Sequence, residues 1–176
     1  MIDIESWGLT PGSAIRSIGA VMFDPRGDEI GGTFYANVSA QSCLDVRLTI
    51  DPETAKWWAG QSDAARAALE SEQLDLGVVV YEFAAWYASL GVSAVWSHGL
   101  NFDVPLWEAA CRALSPAGRV PWGYRDGRDT RTLFSLVSDF RHDSIAFEGE
   151  KHDALADARH QARLVQRAHG LLRGVI

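Results

Sequence analysis

Three short acidic motifs lie at the start, in the middle and near the end of this chain. If they act together, the fold must bring these distant segments to one place. The first motif is an Asp-x-Glu pair, Asp3 and Glu5, and the second is Asp103. The third is a His-x4-Asp motif formed by His152 and Asp157. Separated carboxylates accompanied by one histidine are typical of a site that binds two metal ions and cleaves phosphodiesters.

The first motif predicts a strand. Isoleucines alternate with Asp3 and Glu5 over residues 2–5, and a period of two places both carboxylates on the same face. Carboxylates that lie side by side repel each other unless a cation sits between them. The simpler interpretation is a solvated polar face on an edge strand, and the pair alone leaves both interpretations open.

The middle motif predicts the start of a helix. Asp103 follows a strand predicted at residues 93–97 and directly precedes Val104 and Pro105. Proline is tolerated in the first turn of a helix. Apolar residues then recur at helical spacing: Leu106, Trp107, Ala110, Cys111 and Leu114. Asp103 is therefore either a metal ligand or an ordinary cap of this helix.

The last motif depends on where the final helix begins. His152 and Asp157 are five residues apart, which is about 140° around an α-helix, so they would not share a face if both were helical. Asp153 can act as the N-cap of a helix over about residues 154–171. His152 would then lie outside the helix, free to turn toward Asp157. An exposed histidine beside a capping aspartate is the alternative interpretation.

The pattern of the whole chain indicates a single α/β domain over residues 1–176. Strands are predicted at residues 1–5, 15–23 and 31–39, with a turn at residues 24–27. Helical patterns predict further helices at residues 54–61, 62–73, 77–89 and 131–140. A meander of three strands followed by alternating helices and strands predicts a mixed sheet covered by helices.

Composition limits the cellular setting and the partners. Only two cysteines are present, without the spacing of a zinc site, which is typical of a reducing compartment. No apolar run approaches the ~20 residues that span a membrane, and no secretory signal is evident. We therefore expect a cytoplasmic protein with no membrane partner. The net charge of −7 argues against a broad electrostatic grip on long nucleic acid.

Together the motifs resemble the DEDD superfamily of 3′-5′ exonucleases, in its histidine-bearing DEDDh branch. The order of the acids and the His-x4-Asp spacing both match, and the resemblance spans essentially the whole chain. Residues 51–61 and 128–133 also resemble a narrower group, the mycobacterial and phage-type exoribonuclease-like proteins. One departure is Ser6 with Trp7, where many members have two threonines that bear on the terminal-nucleotide contacts.

The resemblance implies an α/β, RNase H-like fold, in which a three-strand meander extended by added strands forms a mixed sheet flanked by helices. It implies a 3′-5′ exonuclease that releases 5′-mononucleotides from the 3′ ends of single-stranded or 3′-overhang nucleic acid. The narrower group implies that RNA rather than DNA is the substrate. It also implies a homodimer.

The resemblance also implies a role for each residue that matches a motif. The four acids are the expected metal ligands: Asp3, Glu5, Asp103 and Asp157. Hard oxygen ligands favour Mg²⁺ or Mn²⁺, with two ions in the site. His152 would be the general base that takes a proton from the attacking water. A backbone contact from Ser6 or Trp7 would seat the terminal nucleotide.

Two tryptophans and a glutamine in the segment 51–61 each have more than one explanation. Trp57 and Trp58 are adjacent, so on a helix their side chains diverge by about 100°. One is expected to fill the core, and the other could contact a second subunit or stack on a base. Gln61 could bind a base edge or simply end its helix.

The segment 128–133 and a nearby histidine also have two explanations. Arg128 and Arg131 could contact phosphate. Asp129 or Thr130 could equally cap a helix here and leave Arg131 exposed. His98, beside the middle motif, is a spare candidate base that ranks below His152.

Two other functions are compatible with these patterns. A catalytically silent nucleic-acid-binding or assembly domain would keep the fold without the chemistry, although all five site residues are present. A metal-dependent hydrolase of small phosphodiesters would suit the acidic surface. Release of mononucleotides from an oligonucleotide distinguishes the exonuclease from this hydrolase.

Overall fold

The chain folds around a mixed four-stranded sheet, in a computed structural model that describes residues 1–92, 94–115 and 120–174. The strand order is β1 (Ile2–Ser6), β2 (Ile15–Phe23), β3 (Ile30–Val38) and β4 (Gln73–Leu74). The first three strands form an antiparallel meander, and β4 pairs with β3 in parallel. Two further strands, β5 (Val95–Ser97) and β6 (Gly127–Asp129), pair in parallel, and β5 contacts β1.

Seven α-helices accompany these strands in the described part of the chain. They are α1 (Ala40–Asp45), α2 (Pro52–Ala59), α3 (Asp63–Glu70), α4 (Leu76–Ser89), α5 (Asp103–Leu114), α6 (Thr130–Ser135) and α7 (Ala154–Gly174). Within the described residues, no helix combines the length and apolar character needed to cross a membrane. The arrangement confirms the predicted α/β, RNase H-like fold class.

Two groups of buried apolar side chains hold the helices against the meander. One group joins α4 and α5 to β2 through Ile18, Phe83 and Trp107. The other joins α6 and α7 to β2 through Val21, Phe134 and Val165. α7 contacts all three strands of the meander, so the last helix of the chain lies over the strand with which the chain begins.

The predicted meander is confirmed to within one residue at each strand end. Its turn is closed by the backbone N–H of Gly27, which donates to the carbonyl of Asp24 at 3.0 Å. α7 begins where it was predicted, because Asp153 accepts a hydrogen bond from the N–H of Ala156 at 2.8 Å. The strand predicted at residues 93–97 is confirmed over Val95–Ser97, while Ser93 lies outside the described residues.

The helix predicted at residues 62–73 is wrong at its C-terminal end, because α3 stops at Glu70. The side-chain amide of Asn37 donates to the carbonyls of Ala68 and Ser71 at 2.8 and 2.7 Å, which satisfies the end of the helix. The next residues, Gln73 and Leu74, pair with β3. This pairing joins distant parts of the chain, so helical periodicity does not reveal it.

Two other helix predictions need correction near the start of the chain. α1 was not predicted, since six residues are too few to show helical periodicity. α2 begins two residues earlier than predicted and ends two residues earlier, at Ala59. The earlier start follows from Asp51, which caps the helix by accepting a hydrogen bond from the N–H of Thr54 at 3.1 Å.

The helix predicted at residues 131–140 is also too long, because α6 ends at Ser135. The rings of Phe134 and Phe140 stack with their centroids 4.3 Å apart. Six positions along a continuous helix would point these rings in different directions. The cap of α6 is Asp129, which accepts a hydrogen bond from the N–H of Thr132 at 2.7 Å.

Candidate metal centre

β1 directs Asp3 and Glu5 away from the core, toward the side of the sheet that α7 covers. Ile2 and Ile4 are each no more than 3 % exposed and pack into the core, whereas the two acids are only partly buried. The period of two thus separates the strand into an apolar face and an acidic face, as the sequence predicted. The partly buried acids lie where the first turn of α7 can approach them.

Asp157 lies in the first turn of α7, and His152 of the same motif holds its carboxylate. Its Oδ2 accepts a hydrogen bond from the backbone N–H of His152 at 3.0 Å. His152 has a φ of 66°, a left-handed conformation that is uncommon for residues other than glycine. The imidazole therefore remains outside the helix while the backbone of the same residue fixes the Asp157 carboxylate.

Gly19 on β2 allows α7 to come close to the sheet. It pairs with Asp3 on β1, directly under the start of the helix. A Cβ atom at Gly19 would lie 2.1 Å from the carbonyl carbon of Ala154 and 2.3 Å from the backbone nitrogen of Leu155. Backbone atoms cannot swing aside as a flexible side chain can, so glycine is required here.

We expect Gly19→Ala to lower both the Tm and the affinity for Mn²⁺, because the added methyl group would push the start of α7, and Asp157 with it, away from β1. Overpacking typically costs about 1–3 kcal/mol, and a clash with backbone should lie at the upper end. Thermal unfolding and calorimetric titration with Mn²⁺ measure the two effects.

The matched control for this prediction is Gly32→Ala on β3. A Cβ atom at Gly32 would have its nearest neighbour at 3.9 Å, on the indole of Trp86, so this variant should behave like the natural protein. An unchanged Mn²⁺ affinity in Gly19→Ala would show that the close approach of α7 does not set the geometry of the acids.

The structure brings the predicted acids together around β1. Carboxylate oxygens of Asp3, Glu5 and Asp157 lie within 4.8 Å of one another, close enough to share a cation. Asp103 approaches from α5, is 3 % exposed, and accepts a hydrogen bond through Oδ1 from the backbone N–H of Ile4 at 3.1 Å. The Asp103 side chain is thus bound to the strand that carries the first acidic pair.

Burial raises the pKa of each of these acids, and for two of them mutual repulsion adds to it. Burial, followed by the charges of Asp157 and Asp103, raises the pKa of Glu5 to about 8. Burial raises the pKa of Asp103 to about 7 and that of Asp157 above its ordinary value. For Asp3, burial and then the charges of its three acidic neighbours raise the pKa well above its ordinary value.

A divalent cation would offset this concentration of like charge. The four predicted ligands are all aspartate or glutamate, so the donor atoms that they offer are carboxylate oxygens. This donor set fits hard cations such as Mg²⁺ and Mn²⁺. A cluster of hard donors whose charges repel one another could hold such a cation.

Arg16 on β2 supplies a compensating positive charge that belongs to none of the sequence motifs. Its guanidinium carbon lies 4.1 Å from the ring centroid of Trp7 and 4.4 Å from that of Trp58. The residue is only 5 % exposed, and its charge lowers the pKa of Glu5. A single arginine within a predicted strand forms no motif, so only the packing between two tryptophans reveals its role.

The adjacent tryptophans of α2 divide as predicted into one core residue and one accessible residue. Trp58 is buried and donates its indole N–H to the carbonyl of Ser6 at 2.9 Å. Trp57 is 47 % exposed, and its ring centroid lies 5.1 Å from that of His152 in an edge-to-face contact. Trp57 is therefore the member of the pair that a ligand or a second subunit can reach.

A pocket of about 390 Å³ lies beside Glu5. Its walls are mainly apolar and aromatic: Ile4, Leu9, Trp57, Trp58 and Phe102. Ser6 also lines the pocket, with its hydroxyl donating to the carbonyl of Gly8 at 2.6 Å. A concave apolar surface next to a group of carboxylates can hold the flat base of a nucleotide whose phosphate faces the acids.

Two of the predicted substrate contacts are engaged within the protein. The backbone N–H of Trp7 donates to the carbonyl of Ala14 at 2.8 Å, and the carbonyl of Trp7 accepts from the N–H of Asp51 at 2.7 Å. The side-chain amide of Gln61 donates to the carbonyl of Trp57 at 3.1 Å, close to the end of α2. The bond from Gln61 matches the alternative in which this residue ends the helix.

The two predicted phosphate-binding arginines differ in their surroundings. Arg131 is exposed, and its charge lowers the pKa of Asp103. Arg128 is exposed too, but its guanidinium donates to the nearby carbonyls of Arg125 and Gly127 at 2.8 and 2.9 Å.

His98, the spare candidate base, follows β5. Its Nδ1 lies 2.8 Å from the hydroxyl oxygen of Thr130, with which it shares a hydrogen bond.

Gln161 is a further residue of the site that the motifs did not reveal. Its Nε2 donates to Oδ1 of Asp3 at 2.7 Å. It follows Asp157 by four residues, so both side chains lie on one face of α7. Once Asp157 is placed in a helix, this spacing is the signal that identifies Gln161 as a neighbour of the acids.

Comparison with known families covers nearly the whole chain. The family model described as the 3′-5′ exoribonuclease Rv2179c-like domain matches residues 1–169. The matched range includes the four acids and His152. No curated protein matches the chain.

Proposed function

The chain belongs to the family of Rv2179c-like 3′-5′ exoribonuclease domains, and we propose that it is a metal-dependent exonuclease of the DEDDh type. It would release 5′-mononucleotides from the 3′ ends of single-stranded or 3′-overhanging RNA. The observation that supports this most strongly is the approach of Asp3, Glu5 and Asp157 to within 4.8 Å of one another.

Two divalent cations, Mg²⁺ or Mn²⁺, would activate the attacking water and stabilise the leaving 3′ oxygen when bound. Asp3, Glu5 and Asp157 would hold one ion, and Asp3 with Asp103 would hold the other. Backbone donors already orient two of these ligands: Ile4 binds Asp103 and His152 binds Asp157. Arranging these ligands around the cations would therefore cost little conformational entropy.

His152 would take the proton from the attacking water as general base. Its backbone bond to Asp157 at 3.0 Å ties it to a proposed metal ligand. The edge-to-face contacts with Trp57 and Trp58 limit the rotation of its ring. Among the described residues, no protein group forms a hydrogen bond with its imidazole nitrogens, so the ring is available to accept a proton.

The terminal base would enter the pocket beside Glu5. Trp57 and Phe102 offer aromatic surfaces on which a base can stack, a contact worth about 1–3 kcal/mol for each base. Ser6 would line the same pocket, in keeping with its predicted place among the substrate contacts. Trp7 would act indirectly, by supporting Arg16 beside Glu5.

Arg131 would contact a phosphate near Asp103, since a guanidinium can donate two parallel hydrogen bonds to phosphate oxygens. The net charge of −7 leaves few other cations with which to hold or open a duplex. We therefore propose single strands and 3′ overhangs as substrates, with poor action on blunt duplexes.

RNA is proposed as the substrate class because the family description names exoribonucleases.

A homodimer is proposed on the resemblance to the same group. Light scattering of the purified protein would measure the mass of the particle in solution. A mass of one chain would contradict the homodimer without affecting the proposed chemistry.

The proposed function can be tested with 5′-labelled RNA and DNA supplied as single strands, as duplexes with a 3′ overhang and as circles. In Mn²⁺ we expect a ladder of shortened products from single strands and shortening that stops near the duplex junction. We expect circles to remain intact, since they offer no 3′ end, and EDTA to prevent all cleavage.

Other outcomes favour the two alternative functions. Binding of oligonucleotides without any cleavage in Mn²⁺ would indicate a catalytically silent binding domain. Hydrolysis of a small phosphodiester, with no mononucleotides released from oligonucleotides, would indicate the small-molecule hydrolase. Cleavage of a circular single strand would contradict an exonuclease.

A further inference from the structure

The ionised carboxylate of Asp3 is stabilised by one neighbouring side chain and destabilised by three others. The charges of Asp103, Glu5 and Asp157 all act against its ionised form. The Nε2 of Gln161 donates to its Oδ1 at 2.7 Å. Within the described residues, no other side chain donates a hydrogen bond to this carboxylate. Gln161 is thus the contact that offsets the repulsion around Asp3.

The position of Gln161 links two separate elements of the metal centre. It lies one turn after Asp157 on α7, and the residues share a face of the helix. The same helix therefore supplies a carboxylate to the cluster and a donor to the strand residue Asp3. The bond crosses from α7 to β1, so it ties together two parts of the site that repel each other electrostatically.

The oxygen of the Gln161 side-chain amide forms no hydrogen bond within the described residues. This Oε1 atom is buried. A buried acceptor without a partner is destabilising. A leucine, similar in size, would fill the space without this penalty. Packing therefore does not explain an amide at this position, whereas its bond to Asp3 does.

We propose that Gln161 is a positioning residue of the metal centre, which holds Asp3 so that its remaining lone pairs face the cation shared with Glu5 and Asp157. This inference rests on the proposed metal-dependent function. A carboxylate that accepts one hydrogen bond keeps further lone pairs for a metal. Replacing such a partner of a metal ligand typically lowers metal affinity or activity about 10–100-fold.

α7 offers a matched control in Gln166. Its Nε2 donates to the backbone carbonyls of Asp24 and Glu29 at 3.1 and 2.9 Å. These carbonyls lie at the turn between β2 and β3, and neither belongs to the proposed metal ligands. The same change of glutamine to leucine can therefore be made once at the metal centre and once at a structural contact on the same helix.

The test compares the natural protein with Gln161→Leu and Gln166→Leu by calorimetric titration with Mn²⁺ and by thermal unfolding in EDTA. Gln161→Leu should bind Mn²⁺ about 10–100-fold more weakly, with a smaller loss of Tm in EDTA than Gln166→Leu, because it removes one hydrogen bond rather than two and also removes the unpaired Oε1. Its kcat should recover as the Mn²⁺ concentration rises. Gln166→Leu should lower the Tm and leave the Mn²⁺ affinity unchanged.

Equal Mn²⁺ affinities in the natural protein and Gln161→Leu would overturn the positioning role while leaving the proposed function intact. A loss of Tm in Gln161→Leu as large as that in Gln166→Leu would indicate a structural role and would also overturn it. No Mn²⁺ binding by the natural protein would overturn the proposed function, and this inference with it.

Discussion

Replacing Asp3 with asparagine should lower the rate of oligonucleotide degradation by at least about 10³-fold, since a metal ion supplies several kcal/mol of transition-state stabilisation. Asp3 is central to the proposed site, because it would contact both cations. The same change should not destabilise the metal-free protein. Asparagine has nearly the same shape, and it removes one of four acids whose charges disfavour each other.

Two measurements separate these effects. Single-turnover degradation of a 5′-labelled oligonucleotide in Mn²⁺ measures activity, and thermal unfolding in EDTA measures stability without the metal. The control is Asp45→Asn on α1, where an exposed carboxylate bonds only to the neighbouring Gln41 among the described residues. It should keep full activity. Turnover of Asp3→Asn at the natural rate, or of the natural protein in EDTA, would contradict the two-metal proposal.

His152→Asn should lower kcat by about 10²–10⁴-fold, the range typical of general acid–base assistance. Asparagine suits this position because it tolerates the left-handed backbone conformation that His152 adopts at a φ of 66°. The backbone N–H that binds Asp157 is retained in the variant. Binding of Mn²⁺, measured by calorimetry, should therefore change little while catalysis is lost.

His98→Asn is the matched control for the base. His98 bonds to the hydroxyl of Thr130 and lies near the ring of Phe134, so it serves the packing of α6. Asparagine retains hydrogen-bonding groups there, and activity should remain close to that of the natural protein. A severe loss in His98→Asn together with a mild loss in His152→Asn would show that the wrong histidine was assigned and that the chain is not of the DEDDh type.

Local patterns were enough to locate the segments that carry the acids. Isoleucines that alternate with Asp3 and Glu5 identify β1, and the capping oxygen of Asp153 places the start of α7. Periodicity and capping involve residues only a few positions apart, so both can be recognised in the sequence. The α/β fold class and the family membership, predicted from these patterns and their order, are confirmed by the structure and by the family match over residues 1–169.

Helix ends that depend on side-chain contacts beyond the helix were not predictable in this way. α3 ends where the side-chain amide of Asn37 on β3 reaches the carbonyls of Ala68 and Ser71. α6 ends early because the stacking of Phe134 on Phe140 favours a turn over a longer helix. The contacts of Asn37 join residues 31 and 34 positions apart, and the ring contact joins residues six positions apart. Helical periodicity reveals neither of them, because it shows only which residues share one face of a helix.

The sequence alone thus identified the fold class, the family and the candidate acids, because each of these is expressed in short motifs and their order. The packing of the folded chain had to show that Gly19 lies under the first turn of α7, that Arg16 lies between Trp7 and Trp58, and that Gln161 reaches Asp3. The last of these contacts spans 158 positions. Strand register and the distance between helix and sheet determine such contacts, and both arise only when the whole core is packed.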